Sequence, residues 1–544
     1  MPASPVQPAE PVHSASSALT RRSLLAGAAA GSATAALAAT APPASARVRH
    51  RRARRRVVII GSGFGGAVAA LRLTRAGVPV TLLEQGRRWR TGPDADTFPT
   101  VSTLDERALF YGSAPELFGR PVSLAPYAGL FNATVSPTMT IMQGCGYGGG
   151  SLTYQGMTLK PARNVWESEQ LGVIDYDEIG RFYRRVARKL RIATAPDELV
   201  ESPTYEAPRA FKRRAEAAGF DVERIPMPID WDFALAELRG EMAPAYTTGD
   251  VGFGVNNGGK HSLDVTYLRE AERTGLLEVK LLTRVTDVER TARGEWRVRA
   301  VRTDVRGTPK RTVELTTPTL VMGAGSAGTT RMLVRAGALG AIPDLPDEVG
   351  ENWGSNADRI YAWTSLGENF GPVQGGPVVF GSKEWADASL ANTVIQASIP
   401  PVTLAGQNVP LNTTILVGYG VSESRGRFVY NGLTDDAVLQ WSPTGDRTIQ
   451  RERIGPRVRA VAGNDSVLSD TNAVVPSTWH PLGGVSMGGA CDLEGRVRGQ
   501  RGLYVLDGAL LPGTAAACNP SMTIAAVAER AMSRIVRRDV GTII

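Results

Sequence analysis

The sequence is poor in the residues that build small secreted scaffolds and metal centres. Among 544 residues there are three cysteines, Cys145, Cys491 and Cys518, and four histidines. Three thiols cannot make a disulfide framework, and the absence of any Cys-x-x-Cys pair excludes a thiolate zinc site. His13 and His50 lie near the N-terminus, which leaves His261 and His480 in the body of the chain. Two histidines are too few for most histidine-based metal centres, and no metal is expected. The longest apolar stretch, Leu24 to Ala41, is broken by Gly31, Ser32 and Thr34 and is too weakly hydrophobic for a membrane anchor. Charge is also scarce where it would matter. The net charge is +8, but residues 1–46 carry +1 and seven arginines between Arg47 and Arg56 carry the rest, so residues 57–544 are neutral overall. A nucleic-acid protein carries its charge on a folded face, and none is expected here.

The N-terminal segment reads as an address. Arg21-Arg22 precede Leu24-Leu25 and an Ala/Gly-rich run that ends in Ala44-Ser45-Ala46, a small-x-small cleavage pattern. Twin arginines in this setting predict Tat export of a folded protein and a secreted product. Residues 47–56 read as a solvated basic arm beside the processing site.

What the chain has in quantity is glycine, 60 residues in all. Val57-Val58-Ile59-Ile60 predicts a buried strand, and Gly61-Ser62-Gly63-Phe64-Gly65-Gly66 follows it directly. Ala67 to Ala76 reads as a helix, and Val80 to Leu83 as a second strand ending at Glu84. In this setting Gly61 serves the tight turn, Gly63 the close approach of backbone to a pyrophosphate, and Gly66 the packing of helix on strand. Glu84 is placed to accept ribose hydroxyls, and the helix N-terminus offers free N–H groups to phosphates. The unit binds a dinucleotide and does not by itself separate FAD from NAD. Further glycine clusters stand at Gly144–Ser151 and Gly323–Ser326.

His480 lies in a loop, Trp479-His480-Pro481-Leu482-Gly483, and Asn519 follows in Cys518-Asn519-Pro520. A histidine can take an alcohol proton, and an asparagine can orient the alcohol or stabilise developing charge. His261, in Asn256-Asn257-Gly258-Gly259-Lys260-His261, reads as part of a capping loop.

Together these stretches resemble the glucose–methanol–choline oxidoreductases, FAD enzymes that oxidise alcohols. Within that family the sequence is most similar to secreted bacterial cholesterol oxidases with non-covalent FAD. The resemblance covers most of the chain after residue 57, through Gly148–Leu152, Asn256–Tyr267, Gly323–Gly328, Trp353-Gly354, Arg427–Tyr430, His480–Gly484 and Asp507–Arg530. It implies an α/β fold in which a doubly wound FAD domain is interrupted by an α+β substrate domain with a large antiparallel sheet. On that plan residues 57–160, 251–345 and 471–544 bind FAD, while 161–250 and 346–470 serve the substrate. It further implies that Phe64, Gly65 and Glu84 contact the phosphates and ribose of FAD. Gly150 and Met157 lie along it, Val285 holds the adenine end, and Gly508 lies near the isoalloxazine. His480 would handle the alcohol proton beside Asn519.

The implied activity is oxidation of a 3β-hydroxysterol with oxygen as acceptor, by a monomer that touches membranes only transiently. The implied alternatives are oxidation of a non-sterol alcohol and a sterol-binding flavoprotein with little turnover. Three departures stand out. Gln396 matches the family glutamate that moves a proton during steroid isomerisation, a task an amide cannot perform. Tyr154 replaces an asparagine near the flavin, and Ser521 an aromatic residue after Asn-Pro.

Overall fold

The computed structural model describes residues 49–101, 104–112, 116–117, 120–121, 124–399, 403–404, 407–408, 411–473 and 476–544. The expected export signal, residues 1–46, lies outside the described residues. The chain enters through β1 (Arg49–Arg54) and β2 (Val57–Ile60), turns into α1 (Phe64–Arg75) and returns as β3 (Val80–Leu83). A hairpin follows, β4 (Phe131–Ser136) and β5 (Met139–Gly144), and later the helix α2 (Tyr176–Lys189). β6 (Leu277–Lys280) leads to the meander β7 (Thr283–Arg290), β8 (Trp296–Thr303) and β9 (Pro309–Thr317), and β10 (Thr319–Met322) to α3 (Ser326–Ala338). A second region contributes β11 (Arg359–Ser365), β12 (Phe380–Glu384), β13 (Asn392–Ala397), β14 (Thr413–Gly420) and β15 (Ser466–Asp470). β16 (Leu503–Val505) and α4 (Pro520–Arg538) complete the order.

One sheet gathers strands from distant parts of the chain in the parallel order β16-β10-β2-β3-β6. Parallel strands need crossovers and are covered on both faces, which is why β2, β3 and β10 are buried at every residue. α1, α2 and α4 form one covering layer. Glu529 of α4 is buried there and meets Tyr267 Oη at 3.1 Å and Arg185 Nη1 at 3.2 Å. The other large sheet runs β15-β11-β14-β13-β12, with the short strand Glu223–Arg224 on the far side of β12, and is antiparallel throughout. Its strands alternate. Ile360, Ala362, Thr364, Thr413, Ile415, Val417 and Ala397 face a cavity. Tyr361, Trp363 and Leu416 face a second core with Phe211, Ile454 and Val458 from helices behind the sheet.

The arginine run is not an arm. Arg49–Arg54 forms β1, paired in parallel with Arg311–Thr316 of β9. Charge does not prevent this, because the outward side chains meet acids. Arg52 Nε lies 3.2 Å from Glu314, and Arg54 Nη2 lies 2.7 Å from Glu295. These exposed pairs are worth at most about 1 kcal/mol each, and their chief effect is to give the sheet a charged edge that resists pairing with another chain.

Where α1 crosses the loop after β16 the backbones touch. A Cβ on Gly65 would sit 1.9 Å from the carbonyl oxygen of Leu506. Gly65→Ala is therefore expected to force α1 and that loop apart at a cost of about 1–3 kcal/mol. A lowered urea midpoint for the variant checks this; an unchanged midpoint contradicts the close approach.

Candidate active site

A cavity of about 1760 Å³ runs from the C-terminal edge of the parallel sheet to the inner face of the antiparallel one. Its first end is built by glycine. Gly61 has φ +91°, and a Cβ there would sit 2.2 Å from the carbonyl oxygen of Gly323, so the two glycine turns lie against each other. α1 and α3 begin at Gly63 and Gly325, and neither start carries a side-chain cap. Their first N–H groups are thus left for an anion in the cleft. Gly61, Gly63, Phe64, Glu84, Gly150, Met157, Val285 and Gly508 all line the cavity. Gly65 and Gly66 do not. They are packing glycines, Gly66 having space for no Cβ because the carbonyl oxygen of Gly61 would lie 2.1 Å away.

Two carboxylates flank this end. Glu84 accepts from Ser62 Oγ at 2.6 Å, Ser62 N at 3.1 Å and Gly86 N at 2.8 Å, and burial pushes its carboxyl up. Asp507, which sequence reasoning did not assign a role, accepts from Gly325 N at 2.8 Å and Thr329 Oγ1 at 2.5 Å. Burial pushes Asp507 to about 6. The uncapped helix starts, the Cβ-free cradle and the ribose-facing acid fit a bound FAD. Cys145 is packed with Phe110 and Ala128, off the cavity wall, so its thiol is not placed to bond a flavin.

At the junction with the second end stands His480. Its Nδ1 lies 2.7 Å from Oδ1 of Asp358, which is itself buried, and its ring meets the edge of Tyr419 at 5.5 Å between centroids. Asn519 also lines the cavity. Its side-chain amide, however, donates to the carbonyl of Met157 and to Ser521 Oγ, the latter at 2.8 Å. The short residue at 521 is what makes this second bond possible. Asp358 had no local signal in the sequence, because it is joined to His480 across 122 residues. Tyr154 lines the same region, edge-on to Phe64 at 5.7 Å.

Gln396 is not in the cavity. It pairs with Leu416, whose side chain belongs to the core behind the sheet, and its Nε2 donates to Thr414 Oγ1 at 3.0 Å. The strand period of two explains the correction: its neighbour Ala397 takes the cavity face. The Asn256–His261 block also lies behind the wall. Asn256 Oδ1 accepts from Thr97 N and Phe98 N, both at 2.9 Å, and Asn257 Nδ2 donates to Glu237 at 2.6 Å. Lys260 is buried, donates to the carbonyls of Leu152, Tyr154 and Val251, and is pushed down to about 7 by loss of solvent. His261 Nε2 reaches Asp230 at 3.5 Å, in keeping with a capping loop.

A glycine-built dinucleotide cleft that opens into an apolar chamber, with an imidazole at the junction, defines a flavoprotein oxidoreductase. Comparison with known proteins agrees. The GMC oxidoreductase models match residues 122–357 and 437–528, and an NAD(P)-binding Rossmann-like model matches residues 59–113. A cholesterol oxidase of Mycobacterium tuberculosis is 28% identical over 88% of this chain and 90% of its own length. One of Acinetobacter baumannii is 26% identical over 88% of this chain and 94% of its own. The crystal structure of pyridoxine 4-oxidase from Mesorbium loti superposes with a TM-score of 0.61 at 15% identity, covering 88% of this chain and 99% of that one. The chain belongs to the GMC oxidoreductase family and is an FAD-dependent alcohol oxidase.

The position of Gln396 generates a prediction. Gln396→Glu places a carboxylate in a sealed polar pocket between Thr414 and Ser398, not over a substrate. The variant is expected to lose about 1–3 kcal/mol of stability without gaining any steroid isomerase activity. Conjugated enone formed by a stable variant would overturn the assignment.

Proposed function

We propose that the chain oxidises a 3β-hydroxysterol such as cholesterol to the 3-ketosteroid, with O2 reduced to H2O2. The observation that carries this reading is the floor of the chamber. Ile360, Ala362, Ala397, Ile415 and Val417 give an apolar surface that starts beside Asp358 and His480. Along a strand each residue advances about 3.3 Å, so the row from Asp358 to Thr364 spans about 20 Å, suited to a long rigid apolar body with one alcohol at the histidine end. The two cholesterol oxidases among the relatives support the same substrate class.

Bound FAD supplies the two-electron acceptor for the hydride of the carbinol carbon. Gly61, Gly63 and Phe64 would hold its phosphates, Glu84 its ribose, and Gly150, Met157, Val285 and Gly508 its remaining length, while Gly65 serves the close packing of the helix behind them. Segments 57–160, 251–345 and 471–544 serve this purpose, and 161–250 with 346–470 the substrate. His480 handles the alcohol proton. Asn519 fixes the Met157 segment beside it. Asp358, the carboxylate that adjoins the apolar wall strand of Ile360 and Ala362, is engaged by His480 and not free to move a steroid proton. The product is then the unconjugated 5-ene-3-one. Among the described residues no helix is long and apolar enough to cross a membrane. Tat export to the exterior and action as a monomer complete the reading.

Anaerobic mixing of the purified yellow protein with cholesterol tests it. Flavin bleaching with an unconjugated enone is the expected result. Absence of bleaching with cholesterol but bleaching with a shorter alcohol would transfer the enzyme to a non-sterol substrate. His480→Gln is expected to slow bleaching by about 10²–10⁴-fold while FAD content stays constant. Unchanged kinetics in that variant would remove His480 from the reaction.

A further inference from the structure

The reading above leaves open which way the imidazole works, since a histidine can donate to an alcohol oxygen or accept its proton. The surroundings decide. Asp358 Oδ2 receives the main-chain N–H of Trp479 at 3.0 Å and the Thr478 hydroxyl at 2.8 Å, while Oδ1 faces His480 Nδ1 at 2.7 Å. A buried carboxylate receiving donors on one oxygen requires a donor on the other, and Nδ1 can meet that need only when it carries hydrogen. Asn356 Nδ2 also approaches Nδ1, but at 3.4 Å, and it already serves the carbonyl of Cys518 at 3.0 Å. The Asn519 amide is not free to donate to the alcohol, because both hydrogens of its Nδ2 are taken by Met157 and Ser521.

The backbone carries a cost to hold this arrangement. Asn356 and Ala357, immediately before Asp358, have φ of 60° and 54°. Ala516 and Ala517, just before Cys518 and Asn519, have φ of 53° and 60°. An alanine in the left-handed region costs about 1–2 kcal/mol and persists where the surrounding structure fixes it.

We infer that Asp358 is a positioning residue that holds His480 in the tautomer protonated on Nδ1, so that bare Nε2 is turned to the alcohol proton. The inference rests on the alcohol-oxidising reading but not on a sterol. In the step, the O–H bond of the alcohol breaks and its proton passes to Nε2. The carbinol C–H bond breaks with its electron pair leaving as hydride to the flavin, and the carbon–oxygen double bond forms. The imidazolium is held by the Asp358 carboxylate, and its proton leaves in the hydrogen peroxide formed from oxygen.

The test uses the holoenzyme labelled with ¹⁵N-histidine, where four histidines give a simple spectrum. His480 is assigned by its loss in His480→Gln. The expected wild-type signal is a protonated Nδ1 with a lone-pair Nε2. Asp358→Asn, whose amide can rotate to donate to Nδ1, is expected to move His480 toward the Nε2-protonated form. It should also slow flavin reduction by about 10²–10⁴-fold with FAD and substrate affinity retained. Protonated Nε2 in the wild type overturns the inference, and that measurement stands even where the variant does not fold. A variant that keeps both tautomer and rate overturns it too. The spectrum needs no substrate, so failure of cholesterol to bleach the flavin counts against the sterol reading and leaves this one intact.

Discussion

Backbone meets backbone at the C-terminal edge of the parallel sheet, with no room for a side-chain carbon. Gly61 touches the Gly323 turn, Gly66 touches Gly61, and Gly65 touches Leu506. These approaches bring two uncapped helix starts and the Leu506–Gly508 segment to one point. The cleft exists because those residues have no Cβ. The same loop then places Asp507 on Gly325 and Gly508 on the wall. The position of every other group in the site, including the imidazole at the far side, is set relative to that edge.

Beyond the edge, the site is held by buried polar groups whose partners are backbone. Glu237 gathers the N–H groups of Ala245, Tyr246 and Thr247 along with Asn257. Lys260 gathers three carbonyls. Such groups are expensive to leave unpaired and inexpensive when satisfied, so they fix loops that apolar packing alone would leave loose. This gives the Asn256–Lys260 block a physical role: it is scaffolding for the cavity wall and not a ligand of anything within it.

What the sequence made legible was local. The strand, glycine turn, helix and second strand from Val57 to Leu83 stand where their pattern put them, and the α/β class followed from the motifs. Four features escaped for different reasons. The arginine run was read by its charge, and with His50, Arg51, Arg52 and Arg54 all exposed it has no apolar alternation to mark a strand. Gln396 was displaced by one residue from the cavity face, and on a strand one residue is a whole face. Asp358 meets His480 through a fold in which nothing local links the two, and Asn519 proved to be occupied by the serine two residues on.

The antiparallel wall has one more implication. Ile360, Ala362 and Thr364 of β11, Ala397 of β13, and Thr413, Ile415 and Val417 of β14 border the chamber, while Tyr361, Trp363 and Leu416 between them grip the helices behind. Two surfaces are thus interleaved on the same strands, answerable to different demands. The chamber can be reshaped methyl by methyl at Ala362 or Ala397 without disturbing the grip, and the imidazole beside it need not move. The shape offered to an alcohol and the hold on the helices behind are thus set by different residues of the same strands.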